Sequence, residues 1–249
     1  MGAASRLVGV DIGGTGIKGA PVDLAAGELA EARNRIPTPH PATPDAVAAT
    51  VARVVGHFSD TGRIGCTFPA VIQHGRALTA ANVDTSWKGA DARAVLEEAT
   101  GRPVTLLNDA DAAGMAEMEF GAGRGRKGVV AMVTLGTGIG TALFVDGTLV
   151  PNTELGHIEI KGRDAETWAS EKVREDEGLK WKKWAKRVNK YLRTLEALIN
   201  PELIIIGGGV SKKSQKYFPH IDVRAELVAA KLRNEAGIVG AAVAASREE

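Results

Sequence analysis

The sequence is poor in cysteine, and this scarcity excludes two kinds of structural support. Cys66 is the single cysteine among 249 residues. One thiol cannot form a disulfide bond within the chain, and it cannot supply the several thiolates of a cysteine zinc site. We therefore expect neither an internal disulfide nor a structural zinc ion.

Long apolar runs and a strong charge of one sign are also missing. No apolar window approaches the length of a membrane-spanning helix. The first residues lack the apolar stretch of a signal peptide, and Arg6 stands where myristoylation needs Ser or Thr. The formal net charge is +1, which argues against a dedicated nucleic-acid binder. These absences predict a cytoplasmic protein that binds neither membranes nor nucleic acids.

What the sequence does contain is an alternation of strand and helix signals. Short apolar runs predict strands at residues 7–10, 64–68, 104–107, 129–135 and 203–206. Helical spacing predicts a helix capped by Thr43 with Pro44 at its first position, and a short helix before Gly101. Further helices are predicted over residues 165–177, 179–199 and 236–246, the last rich in small residues that pack closely. Alternating strands and helices predict an α/β fold.

Two glycine turns of similar sequence follow two of the predicted strands. Gly14-Thr15-Gly16-Ile17 matches Gly136-Thr137-Gly138-Ile139, and Ala20 matches Ala142 at the same offset. Each turn leads into a predicted β-hairpin. The match suggests two structurally related halves, although a match this short also arises by chance.

The first turn combines a carboxylate with closely spaced glycines. Asp11 ends the first strand, and Gly13, Gly14, Thr15 and Gly16 follow. Exposed backbone N–H groups in such a turn can bind phosphate oxygens, and a neighbouring carboxylate can hold magnesium directly or through water. The alternative is a tight hairpin that only needs glycine. Lys18, just past the turn, could neutralise phosphate or be an ordinary solvated hairpin residue.

Two further groups of polar residues are candidates for chemistry. Asn108 and Asp109 follow a buried strand, where α/β folds open their active clefts; Asp109 could accept a hydroxyl proton, or the pair could simply cap a helix. Glu154, His157 and Glu166 lie in a glycine-containing loop and suit the hydroxyls of a polyol. A metal site at this loop is disfavoured because it has one histidine and no cysteine.

These motifs, taken in order, resemble those of the ROK-type sugar kinases over nearly the whole chain. The segments concerned are DIGGTGIKGA, LLNDADAAG, LGTGIG, ELGH, ETWAS, LIIIGGG and AGIVGAA. Within that family, GGTGIKGAPVD, IPTPHPATP and ELGHIEIKGRDAETWAS look most like the polyphosphate glucokinases of actinobacteria. The resemblance implies the two-lobed actin-like, sugar-kinase (ribonuclease H-like) fold with an interlobe cleft. We expect a smaller N-terminal lobe of residues 1–119 and 234–249, and a larger C-terminal lobe of residues 120–233.

The resemblance also implies a role for each candidate. Asp109 becomes the general base toward the sugar 6-hydroxyl, and Asn108, Glu154, His157 and Glu166 hold the sugar. The residues implied around the phosphates and magnesium are Asp11, Gly13, Gly14, Thr15, Thr137 and Gly138, with Asp11 reaching the metal through water. Gly208 and Gly209 lie where ATP-using relatives pass a nucleotide.

Two departures from the family pattern bear on metal and DNA. Many relatives carry a CxCGxxGC zinc cluster after the histidine, but here residues 158–165 contain no cysteine. His157 is therefore expected to bind sugar and not zinc. Repressor members carry a winged DNA-binding domain before the first phosphate loop, whereas only a few residues precede Asp11, so DNA binding is not expected.

Residues 178–190, GLKWKKWAKRVNK, concentrate positive charge in an otherwise nearly neutral protein. Helical spacing turns Trp181 and Trp184 inward. The basic residues of the opposite face are Lys182, Lys183, Lys186, Lys190 and Arg193, and Lys212, Lys213 and Lys216 follow the glycine loop 207–209. We hypothesise that these two lysine groups form a track for polyphosphate, the alternative being a solvated surface.

The sequence thus predicts a magnesium-dependent kinase that phosphorylates the 6-hydroxyl of glucose from inorganic polyphosphate and also from ATP. One alternative is an ATP-dependent ROK hexokinase for glucose or mannose that does not use polyphosphate. A sugar-responsive regulator without catalysis is disfavoured by Asp109, and an actin-like filament protein by the Glu/His set. The family resemblance further implies a homodimer, weakly supported by the apolar stripe of the helix at residues 179–199.

Overall fold

The computed structural model describes residues 6–80 and 83–248, and these fall into two compact units. The first unit contains the chain up to Ala116 and again from Glu235 onward, and the second is Glu117–Asn234. The expected borders at 119/120 and 233/234 lie within three residues of these. The first unit holds more residues than the second, so the expected order of size is reversed.

The elements are the following. The strands are β1 (Arg6–Gly13), β2 (Gly16–Asp23), β3 (Glu28–Leu29), β4 (Asn34–Ile36), β5 (Ile64–Phe68), β6 (Ile72–Gln73), β7 (Arg76–Ala77), β8 (Val104–Asn108), β9 (Val129–Leu135), β10 (Ile139–Val145), β11 (Thr148–Val150), β12 (Leu203–Gly207) and β13 (Glu226–Ala229). The α-helices are α1 (Pro44–Val55), α2 (Ala92–Thr100), α3 (Asp109–Phe120), α4 (Glu166–Ala169), α5 (Glu171–Asp176), α6 (Trp181–Ile199) and α7 (Ala236–Ser246).

The two units contain sheets with the same strand order. In the first unit the order is β3-β2-β1-β5-β8, with β4 also paired to β2, and in the second it is β11-β10-β9-β12-β13. In each sheet a central strand pairs antiparallel with the strand that follows it and parallel with a later strand. The predicted relationship between two halves is therefore confirmed at the level of topology.

The first unit packs its last helix directly onto its sheet through glycines. A Cβ atom at Gly9 of β1 would lie 1.9 Å from the carbonyl oxygen of Ile238 in α7. A Cβ atom at Gly65 of β5 would lie 1.9 Å from that of Ala241. Both positions must be glycine because the backbones of helix and strand are in contact. This confirms the close packing predicted from the small residues of the helix.

The second unit packs its long helix through large side chains instead. The buried face of α6 joins β9 and β12 in one apolar core and carries Trp184, Val188, Tyr191, Leu192 and Leu195. The apolar stripe of this helix is therefore the core of the second unit, and it gives no support for a dimer interface.

Two local expectations differ from the structure. The helix predicted over residues 165–177 is interrupted at Ser170, which is extended and accepts a hydrogen bond from Val173 N at 3.4 Å, so that α5 begins anew. Thr43 occupies the position before α1, with Pro44 first in the helix, but its side chain makes no capping hydrogen bond. Its extended backbone and the proline start the helix without that bond.

Among the residues described, no helix combines the length and apolar character needed to span a bilayer.

Candidate active site

The first glycine turn joins β1 to β2 and is held by side chains from the segment around β4. Gly13 pairs with Gly16, so the turn itself is Gly14-Thr15. The Thr38 hydroxyl donates to the carbonyl oxygen of Gly13, and Arg35 Nη2 donates to that of Thr15 at 3.0 Å. A Cβ atom at Gly16 would lie 2.6 Å from Arg35 Nε, so the guanidinium rests against this glycine. Sequence reasoning missed Arg35, which pairing of β4 with β2 brings to the turn.

A carboxylate and an ammonium face each other beside this turn. Asp11 and Lys18 are cross-strand partners on β1 and β2, and Lys18 Nζ lies 2.9 Å from Asp11 Oδ2. The Thr67 hydroxyl donates to Asp11 Oδ1 at 3.0 Å. Lys18 is thus a half-buried ion-pair partner and not a freely solvated residue. Both oxygens of Asp11 are engaged, but each keeps a lone pair, which fits contact with a hydrated magnesium ion through water.

Asn108 and Asp109 stand where β8 ends and α3 begins, and the structure shows a capping role for Asn108. Asn108 is buried; its Oδ1 accepts from Ala110 N at 2.8 Å and Asp111 N at 3.2 Å, and its Nδ2 donates to Ala70 O at 3.2 Å. Asn108 therefore caps the helix. Asp109 is exposed at the first helical position, where the positive end of the helix dipole favours a carboxylate.

The second glycine turn joins β9 to β10 and is one residue longer than the first. Leu135 pairs with Ile139, which leaves Gly136, Thr137 and Gly138 in the turn. A Cβ atom at Gly138 would lie 2.4 Å from Glu166 Oε2, which also accepts from Ile139 N at 3.3 Å. A predicted sugar ligand and a predicted phosphate turn therefore touch each other within the second unit.

The segment carrying Glu154 and His157 is anchored to β10. A short 3-10 helix spans Leu155–His157, and a Cβ atom at Gly156 would lie 2.0 Å from the carbonyl oxygen of Ile139. The Thr141 hydroxyl donates to the carbonyl oxygen of Thr153 and accepts from Leu155 N at 3.1 Å. This backbone anchoring fixes the direction of the functional side chains that follow.

Three carboxylates surround the imidazole of His157. Its Nδ1 lies 3.2 Å from Asp164 Oδ2 and 4.0 Å from Glu166 Oε1, and its Nε2 lies 3.8 Å from Glu154 Oε2. The structure thus brings together Glu154, His157 and Glu166, as predicted. Asp164 was missed, because the sequence offered no signal for it beyond its place two residues before Glu166.

The carboxylates shift the protonation of this group. Burial disfavours the imidazolium of His157, but the hydrogen bond that its Nδ1 donates to Asp164 and the charges of Glu166, Asp164 and Glu154 outweigh burial and raise its pKa. Burial, with the neighbouring Glu166 charge, raises the pKa of Glu154 against the opposing effect of His157. Acceptors and one imidazole at these spacings can hold adjacent hydroxyl groups and fix a sugar ring.

Gly208 and Gly209 lie beside the second turn. Gly208 has φ of 80°, and a Cβ atom on it would lie 2.2 Å from the carbonyl oxygen of Leu135. A Cβ atom on Gly209 would lie 3.7 Å from Glu171 Oε2, while Lys172 N donates to the carbonyl oxygen of Gly136 at 3.0 Å. The start of α5 therefore contacts both glycine segments of the second unit.

The two tryptophans of the basic segment differ. Trp184 is fully buried, and its Nε1 donates to Ala169 O at 2.9 Å and Ser170 O at 3.0 Å, which confirms its place in the core. Trp181 is only partly buried and has cations around its ring. The lysines on the outer side of α6 are exposed, and they are Lys182, Lys183, Lys186 and Lys190. Lys212, Lys213 and Lys216 are exposed as well, in the 3-10 helix Gly209–Lys216.

No group of three or more His, Cys, Asp or Glu side chains within residues 6–80 and 83–248 has a geometry for holding a metal ion directly. Cys66 lies in β5 with its side chain buried, and burial raises the pKa of its thiol to about 12. A thiol so protonated is a poor zinc ligand, because the thiolate is the form that binds metal.

Comparison with known proteins places this geometry in a family. The profile of the ROK family matches residues 7–178. A polyphosphate glucokinase of Mycobacterium tuberculosis (strain CDC 1551 / Oshkosh) is 50% identical over 237 residues, which cover 95% of this chain and 89% of the relative.

Two solved structures of sugar kinases also match this chain. The crystal structure of an inorganic polyphosphate/ATP-glucomannokinase from Arthrobacter sp. strain KM matches with a TM-score of 0.95 and 51% identity, covering 99% of this chain and 100% of the other. A ROK family glucokinase from Streptomyces griseus, in complex with glucose and AMPPNP, matches with a TM-score of 0.80 and 25% identity, covering 96% and 99%. These neighbours have the two-lobed actin-like fold, which confirms the expected fold class.

Proposed function

Because the chain belongs to the ROK family, we propose that it transfers the terminal phosphoryl group of inorganic polyphosphate, and also of ATP, to the 6-hydroxyl of glucose. The observation that carries this proposal is the 50% identity with a polyphosphate glucokinase over 95% of the chain. The Arthrobacter neighbour, named for both donors, supports the use of ATP as well.

Asp109 is proposed as the general base. The glucose 6-oxygen attacks the terminal phosphorus; the new O–P bond forms as the bond to the leaving phosphate breaks, and the hydroxyl proton passes to the Asp109 carboxylate. Phosphoryl transfer depends mainly on positioning and charge stabilisation, so a base on a fixed helix end suits it. Asn108, which caps that helix, orients Asp109 and can offer its second amide hydrogen to the sugar.

The sugar is proposed to be held by Glu154, His157 and Glu166. Glu166 and Glu154 accept hydrogen bonds from hydroxyl groups, and His157 donates or accepts through Nε2 because Asp164 engages Nδ1. The contact of Glu166 with the second turn supports a sugar site adjacent to the phosphates.

The donor phosphates are proposed to lie on the glycine segments. The first turn offers the backbone N–H groups of Gly13, Gly14, Thr15 and Gly16, with Lys18 beside them. In the second turn Thr137 and Gly138 are proposed to contact the donor phosphates. The donor is proposed to run past Gly208 and Gly209. A magnesium ion, when bound, neutralises phosphate charge, and Asp11 would hold it through water.

A coupled assay of glucose 6-phosphate formation tests the proposal with each donor in turn. Glucose-dependent product with polyphosphate is the expected result, and product with ATP is expected in addition. Mannose and glucosamine in place of glucose define the acceptor. Turnover with ATP alone would identify an ATP-dependent hexokinase of the same family, and absence of turnover with either donor would overturn the proposal.

Three further properties are proposed, the first on family grounds and the other two from the chain's own sequence. The protein is proposed to be a homodimer, which light scattering at micromolar concentration tests; a clean monomer mass rejects it. It is proposed to contain no structural zinc, so stoichiometric zinc that survives chelator dialysis would contradict this. The reaction is proposed to occur in the cytoplasm, which fractionation of cells tests.

A further inference from the structure

Three cations converge on one partly buried tryptophan of the second unit. Arg174 Cζ lies 4.2 Å from the centre of the Trp181 ring, Lys216 Nζ 5.6 Å and Lys213 Nζ 5.8 Å. These four residues are called the Trp181 cluster below. They come from α5, from the first residue of α6 and from the 3-10 helix Gly209–Lys216, so only folding brings them together.

In the part of the chain that the structure describes, the two lysine charges of the cluster have no short ion-pair partner, although Lys213 is close enough to Glu171 for its charge to oppose the rise in the pKa of that carboxyl. Arg174 is held by carboxylates, with Nη2 2.9 Å from Glu175 Oε1 and 3.9 Å from Glu171 Oε1. Among the described residues, neither Lys213 nor Lys216 has a carboxylate within 4 Å of its ammonium group. An aromatic ring attracts a cation through its π face without neutralising it or using its N–H donors. Trp181 therefore gathers the lysines at one place and leaves them able to bind an anion.

Short contacts connect the cluster to the glycine segments of the second unit. Arg174 approaches Glu171, which stands 3.7 Å from a Cβ position on Gly209. The next residue, Lys172, donates from its backbone to Gly136 O at 3.0 Å. Contacts through the start of α5 therefore link both glycine segments of the second unit to the Trp181 cluster.

We propose that the Trp181 cluster binds inorganic polyphosphate just beyond the phosphates that occupy the glycine turns; this rests on the proposed function. A linear polyanion carries charge on every phosphate and continues past the turns. ATP ends there in an uncharged nucleoside, so its few phosphates do not reach these cations. The site therefore distinguishes polyphosphate from ATP and does not act on the transferred phosphoryl group.

The outer lysines of α6 bind the more distant polymer. They lie on the helix face opposite Trp184 and Val188, and the helical rise places Lys190 roughly 13 Å further along the axis than Trp181. The two lysine groups therefore act in sequence. The Trp181 cluster contacts short and long polyphosphate, and Lys186 and Lys190, which lie further along α6, contact only long polyphosphate.

Charge reversal of the exposed lysines tests whether the two lysine groups bind successive parts of the polyphosphate chain. Lys213→Glu with Lys216→Glu is expected to raise the KM for short and long polyphosphate about tenfold, while the KM for ATP, the KM for glucose and kcat with ATP stay unchanged. The slope of log KM against log salt should fall by about one to two. The matched control is Lys186→Glu with Lys190→Glu, which makes the same charge change and should raise the KM for long polyphosphate only.

Arg174→Gln and Trp181→Phe probe the cluster without reversing its charge. Each is expected to raise the KM for polyphosphate severalfold, and a melting curve shows whether the fold is retained. An unchanged polyphosphate KM in the double lysine variant overturns the inference. So does an equal loss with ATP, which would indicate damage to the glycine segments, or an equal effect of the control on short polyphosphate. If the unaltered protein turns over ATP but never polyphosphate, the donor assignment itself has failed.

Discussion

The two glycine turns occupy equivalent places in two sheets of the same order, yet their surroundings carry opposite charge. The first turn has Lys18, Asp11 and Arg35 beside it; Lys18 pairs with Asp11, so the Arg35 charge is in excess near its exposed N–H groups. The second has the Glu166 carboxylate against Gly138 and Ile139. A repeated backbone motif thus supplies hydrogen-bond donors for the proposed phosphates twice, and the second turn in addition has against it a carboxylate proposed to hold the sugar hydroxyl groups.

The largest effect is expected from a substitution of Asp109, the residue of the first unit that is proposed as the general base. Asp109→Asn should leave the KM for glucose nearly unchanged and lower kcat by roughly 100- to 10,000-fold, because the amide cannot accept the proton. Steady-state kinetics with both donors measures it. A variant with near-normal turnover would remove Asp109 from the role of base.

Removing the Glu166 charge beside the second turn should weaken glucose binding and leave turnover nearly unchanged. Glu166→Gln is expected to raise the KM for glucose by about 10- to 100-fold, because a hydrogen bond to a charged group is lost. Its KM for polyphosphate should change little. Glu159→Gln alters an exposed carboxylate of the same segment and serves as the control. If Glu166→Gln mainly impairs donor binding, the contrast between the turns is wrong.

Removing the Arg35 charge beside the first turn should weaken binding of both phosphoryl donors. Arg35→Gln is expected to raise the KM for polyphosphate and for ATP several-fold, since both place phosphates at the same turn, and to leave the KM for glucose unchanged. Arg33→Gln removes a neighbouring exposed charge and should have no effect. An effect confined to the melting temperature would mean that Arg35 only braces the hairpin through Thr15.

The smallest expected effect concerns protonation beside the second turn. The pKa of His157 lies above its ordinary value of 6.5, and Asp164→Asn should lower it by removing a hydrogen bond and a charge. A histidine with a raised folded-state pKa adds stability below its ordinary pKa, and that stability is lost as the pH rises through the folded value. NMR titration of the imidazole in both proteins measures the shift, and identical midpoints would contradict it.

Much of the fold was accessible to sequence reasoning because its signals are local. Gly101 closes α2 in a left-handed conformation, and α7 runs over the predicted residues. The break at Ser170 was missed because a capping serine inside an amphipathic pattern looks like any polar position. Arg35 and Asp164 were missed for a different reason: their partners are fixed by strand pairing and loop anchoring, which no spacing reveals.

The buried thiol and the tryptophans give each unit its own reporter of unfolding, chemical in the first and spectroscopic in the second. Cys66 lies in the first unit, and at neutral pH its high pKa keeps it protonated and unreactive while β5 stays paired. Of the four tryptophans, Trp168, Trp181 and Trp184 lie in the second unit. The rate of thiol labelling therefore follows opening of the first sheet, and tryptophan fluorescence follows chiefly the second, so one denaturant series shows whether two topologically matched units unfold together or in turn.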